Sequence, residues 1–161
     1  MKDIAVIAGY WLHLGAALFW VGGIAFILFI ALPSSKKALG SDAGLVMGEI
    51  AGRFGPLANW CILMLIVTGV GLTALSSHYK SAIYPDNSWT LVLMIKLALV
   101  AVMVAIHFYR GLVLSRMIIR TEDDTRKSVL QKLSLDLVKV NLALGSVILL
   151  LSGALSYMRG Y

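Results

Sequence analysis

Residues 10–33, YWLHLGAALFWVGGIAFILFIALP, form an apolar run long enough to cross a bilayer, and the run carries a histidine near its start. About 20 helical residues span the hydrocarbon core, so His13 falls inside the membrane. An ionisable group at that depth costs free energy and is read first as a functional site. The structural alternative is a neutral imidazole bonded to a neighbouring helix. His13, Ala17, Trp20 and Ile24 recur at i, i+4, i+7 and i+11 and share one helical face, which presents an imidazole, a gap and an indole. Gly15, Ala16, Gly22, Gly23 and Ala25 let another helix, or a flat ligand, come close.

Outward from this run the chain stays apolar. It is 60% hydrophobic and 14% charged, with a mean hydropathy of +0.89, which excludes an ordinary soluble domain of 161 residues. Apolar runs at residues 4–33, 56–76, 89–109 and 138–158 predict four crossings, at about 4–33, 56–76, 89–115 and 136–158. The expected fold is all-α: one integral-membrane four-helix bundle over residues 1–161. The first run is too long for the apolar region of a signal peptide and lacks a clear cleavage site, so it is expected to stay in the mature protein. The lone cysteine, Cys61, precludes an internal disulfide and argues against a cysteine-based metal site.

With an even number of crossings, both termini share a side with the 77–88 loop and with Lys2, Lys80 and Arg159. The opposite side holds Lys36, Lys37, Arg53, Arg110, Arg116, Arg120, Arg126, Lys127, Lys132 and Lys139. The positive-inside rule places that side in the cytoplasm and both termini outside. The net charge of +6 then needs anionic lipid and no nucleic acid.

The second informative stretch is WTLVLMIKLALVAVMVAIHFYRG, residues 89–111. An uncompensated lysine at mid-helix costs about 2.5–3.5 kcal/mol on insertion scales. Lys96 either snorkels to the interface or faces the protein interior. Lys96, Met103, His107 and Arg110 recur at +7, +11 and +14, one stripe that is expected to face inward. His78 ends the second crossing near the outer surface, while Gly55 and Pro56 mark a kink or helix start at the other end of that crossing. The last helix is expected to begin near Thr125, after Glu122, Asp123 and Asp124, with an amphipathic cytoplasmic extension.

Depth follows from a rise of about 1.5 Å per residue. With the first and third helices centred near Trp20 and Val102, His13 and Lys96 lie roughly 10 Å toward the outside, level with Thr73 and Ala154. His107 lies roughly 16 Å farther along, level with Asn59 and Asn141. An outer site of His13, Lys96 and His78 and an inner site around His107 and Arg110 result. Three chemistries fit them. The first is b-type haem, which takes a neutral imidazole, apolar walls and a cation near its propionates. The second is copper on imidazole and thioether, with Met94 and Met158 near the outer site. The third is polar glue between helices. Three histidines exclude a pair of bis-histidine haems.

WLHLGAALFWVGG ending in ALP, RFGPLANWCILMLIVTGVGL and MIKLALVAV resemble helices of the copper-resistance protein D family. His13 followed by Trp20, and Lys96 followed by His107 in HFYRG, also resemble the membrane-bound protoporphyrinogen oxidase of the HemJ type. The first resemblance implies copper uptake from the periplasm. The second implies haem-associated oxidation of a porphyrinogen, with functional roles for His13 and Lys96. The WVGG step is closer to the copper family, and the oxidase's C-terminal helix pattern is not evident in KVNLALGSVILLLSGAL.

The sequence reading is therefore a multi-pass protein of a prokaryotic inner membrane that binds haem b and acts in electron transfer or oxidation. His13 is the first axial ligand, Lys96 or His78 the partner or propionate contact, Trp20 a wall, and His107 with Arg110 an inner site. His13, His78 and His107 are the candidate metal ligands. Copper import or binding is the alternative, and the HemJ-type oxidase a second one. A quinol or periplasmic redox partner and a glycine-faced homodimer are the expected associations.

Overall fold

A computed structural model describes residues 2–75 and 88–159, and the described residues are all helical apart from short turns, with no strand among them. The elements are α1 (Lys2–Phe26), a π-helical turn (Ile27–Ala31), α2 (Leu32–Leu39), a 3-10 turn (Gly40–Asp42), α3 (Ala43–Ala74), α4 (Ser88–Phe108), a second π-helical turn (Tyr109–Leu114), α5 (Ser115–Arg120) and α6 (Asp124–Arg159). Three helical stretches are long and apolar enough to cross a membrane: Ile4–Ala74, Ser88–Arg120 and Asp124–Tyr157. The chain forms two compact units, Met1–Ile83 and Tyr84–Tyr161.

The first unit is a helical hairpin. Gly40, at φ +53°, has the only positive φ among the described residues, and there the chain folds back. Glycine suits this turn because a Cβ is disfavoured at positive φ. Beyond it α3 runs antiparallel to α1: Gly9 lies against Leu72, His13 against Thr68 and Gly69, and Gly23 against Phe54. Trp20 and Ile24, 3% and 4% exposed, line the inner face of α1, while Ala58, Cys61 and Ile62 are buried on α3. Their opposite faces carry Trp11, Leu18, Phe19, Trp60 and Val70, each more than 60% exposed. Side chains of this size in such number suit a lipid surrounding and not water.

Helix 1 does not stop at Pro33. The π-helical turn Ile27–Ala31 carries the helix on into α2, and Pro33 falls just after it, where the ladder changes from i−5 to i−4 bonding. Pro56 lies inside α3, which runs continuously from Ala43 to Ala74, so no fresh helix starts there.

The second unit is also a hairpin, turning at residues 121–123. Asp123 Oδ1 accepts the Thr125 N–H at 2.8 Å and the Arg126 N–H at 3.4 Å, which caps α6 at its start. Trp89 and Leu93 of α4 pack with Leu155 of α6, Asn141 meets Met103, and Arg110 meets Ser134. The members of the pairs Trp89–Leu155, Met103–Asn141 and Arg110–Ser134 are equidistant in sequence from Glu122, so one register holds from end to end. From Trp89 to Arg110 it runs about 31 Å, the thickness of a hydrocarbon core. Thirty-six residues of α6 extend about 54 Å, so its first third, rich in Lys and Arg, projects beyond that core.

Candidate functional site

In the first unit the candidate residue is His13. Its Nδ1 lies 2.8 Å from Thr68 Oγ1, and the Thr68 hydroxyl donates to the carbonyl of Met64 at 2.5 Å, the usual i−4 bond of a helical threonine. Gly69 brings the backbone of α3 up to the ring: a Cβ at that position would sit 3.3 Å from His13 Cε1. The imidazole is thus partly buried against α3 through its Nδ1–Cε1 edge. The face anticipated from spacing is present, with Trp20 and Ile24 buried and His13 and Ala17 partly so.

The level of the site differs from expectation. His13 sits opposite Thr68 rather than Thr73, because α1–α2 and α3 continue as rods to the turn at Gly40. The distance of each residue from that turn, and not the centre of its apolar run, sets the register. His13 and Thr68 are equidistant from the step between Gly40 and Ser41. Cys61 lies two turns, about 10 Å, from Thr68 along α3, so His13 and Cys61 do not chelate one ion.

In the second unit the inward stripe is confirmed: Met103 is 1% exposed, and Lys96, His107 and Arg110 are partly buried on the same side. Arg110 Nε donates to Ser134 Oγ at 3.2 Å, and Asn141 Nδ2 donates to the Met103 carbonyl at 3.3 Å. Asn141 is 1% exposed and its Oδ1 has no hydrogen-bond partner. Register sets Lys96 against Ile148 rather than Ala154, and His107 one turn closer to the 121–123 turn than Asn141, against Leu137. The π-helical turn begins just after His107–Phe108, whose rings meet edge to face at 5.4 Å.

His78 lies outside the described residues. Among those described, no three His, Cys, Asp or Glu side chains gather as a ready metal cage. The partners that spacing alone did not single out are Thr68 and Gly69 for His13, and Ser134 for Arg110. Folding the sequence about Gly40 and about Glu122 places all three opposite their partners.

No curated protein and no solved structure matches the chain. A family model described as copper resistance protein D matches residues 48–155, which covers α3 from its second turn through most of α6 and includes Thr68, Lys96, His107, Arg110 and Asn141, while His13 and Trp20 precede the match. Of the two families the sequence resembles, the match supports the copper one and lends nothing to the HemJ-type oxidase. Because it spans more than half of a multi-pass helical membrane protein, the chain belongs to the copper resistance protein D family.

Proposed function

We propose that this protein binds copper within the bilayer and passes it across, with His13 as a principal ligand. The observation that carries the reading is the family match over residues 48–155. The site chemistry supports it: an imidazole held between two helices, in an apolar setting with no carboxylate cage, suits a soft monovalent ion better than Mg²⁺ or Ca²⁺. Copper is cargo in this reading, and His107 on the inner half of the second hairpin is a second stop. Lys96 and Arg110 set the local positive charge and discourage tight retention. Trp20 closes the first hairpin below His13. Each hairpin supplies two crossings, giving four in all as a single domain, with both termini outside and the Lys- and Arg-rich turns in the cytoplasm of a prokaryotic cell.

Haem b gains no support from the family match, and neither do a quinol, a redox partner or a homodimer. The deciding experiment is metal analysis and a visible spectrum of the detergent-purified protein, expressed with ample copper and haem. The expected result is bound copper and no Soret band, with His13→Ala lowering copper(I) affinity at least tenfold. A Soret band that shifts on dithionite, in protein that carries no copper, would overturn copper in favour of haem.

A further inference from the structure

The structure assigns Thr68 as the residue that fixes the tautomer of His13, so that Nδ1 carries the proton and Nε2 carries the lone pair offered to a metal. Thr68 has one hydroxyl proton, and its oxygen stands 2.5 Å from the Met64 carbonyl and 2.8 Å from His13 Nδ1. Two oxygens that close without a proton between them repel, so the hydroxyl proton belongs to the Met64 carbonyl. The contact with His13 then needs its proton from the ring, and Nδ1 must be the donor. In a neutral imidazole the other nitrogen is then the acceptor, and a metal takes that nitrogen.

Thr68 acts in two ways: as an acceptor it orients the ring, and through its bond to the backbone of its own helix it cannot turn round and become the donor. Gly69 completes the arrangement, since any side chain there would press on Cε1 and lift the ring from Thr68. Thr68 is a positioning residue, acting on the ion through His13. The assignment of Nε2 as the ligand rests on the copper reading, whereas the tautomer does not.

The test uses the full-length protein in detergent micelles, labelled with ¹⁵N-histidine and free of metal, at alkaline pH where the imidazoles are neutral. His13→Ala identifies the His13 signals among those of the three histidines. The proton is expected on Nδ1 in the wild type and in Thr68→Ser, which keeps the hydroxyl, and the second tautomer is expected to enter in Thr68→Val. Copper(I) titration against a competing chelator should then show Thr68→Val about 10- to 100-fold weaker, the range for loss of a residue that orients a ligand, with Thr68→Ser close to wild type. Finding the proton on Nε2 in the wild type, or a His13 tautomer indifferent to Thr68→Val, overturns the assignment of Thr68. A correct tautomer together with unchanged copper affinity in His13→Ala overturns the copper reading alone.

Discussion

At the scale of single residues, the contacts His13–Thr68 and Asn141–Met103 differ in what their loss costs. His13 and Thr68 satisfy each other across the first hairpin at 2.8 Å, whereas Asn141 spends only its amide N–H, at 3.3 Å, and buries an oxygen with no partner. Hydrogen bonds between membrane helices average about 0.6 kcal/mol in double-mutant cycles. Asn141→Leu removes a long bond and an unsatisfied acceptor together, so it is expected to change stability by less than about 1 kcal/mol. Asn141→Asp places a carboxylate in the same pocket, next to the Met103 carbonyl, and is expected to cost several kcal/mol more. Unfolding in mixed micelles would measure both. Equal losses for the two variants would mean that Asn141 acts through its shape and not its polarity.

Individual elements explain what the sequence discloses and what it conceals. The inner faces are legible from spacing, because a helix of 3.6 residues per turn imposes the same period on burial as on sequence: His13, Ala17, Trp20 and Ile24 share a face, and so do Lys96, Met103, His107 and Arg110. Thr68 carries no signal of its own in the sequence, where it sits in the apolar run of α3. Its pairing with His13 depends on where two helices stop, and neither the stop expected at Pro33 nor the fresh start offered at Pro56 is made by the backbone. The informative residue was Gly40, which alone sets the fold-back.

Element packing also yields a prediction at Gly23. A Cβ there would overlap the ring of Phe54, which lies over Gly23. Gly23→Ala is expected to force the ring aside at a cost of about 1–3 kcal/mol, the usual range for overpacking. Gly22→Ala, where a Cβ meets nothing within 4 Å, should be nearly neutral. Thermal unfolding of the two variants side by side checks this, and comparable stability would show that Phe54 can swing away without loss.

On the scale of the whole molecule, the distribution of basic residues and the two hairpin turns jointly test the topology. Both turns, Gly40–Asp42 and residues 121–123, are flanked by Lys and Arg: Lys36 and Lys37 before the first, Arg116 and Arg120 before the second, Arg126 and Lys127 after it. Each cation near a cytoplasmic leaflet gains about 1 kcal/mol from anionic lipid, and moving it across the bilayer forfeits that gain while adding the cost of passage. Six such residues on one side outweigh Lys2, Lys80 and Arg159 on the other, so both turns are expected in the cytoplasm. A Cys61→Ser background removes the lone native thiol, which is buried and poorly placed to react. In that background, Ser41→Cys and Glu122→Cys should resist an impermeant maleimide in intact cells and react once the membrane is opened. Labelling of both in intact cells would reverse the whole topology, and labelling of only one would mean that the two hairpins enter from opposite sides. Labelling of Glu122→Cys in intact cells would exchange the leaflets of Lys96 and His107 and, in the copper reading, the side from which the ion reaches His107.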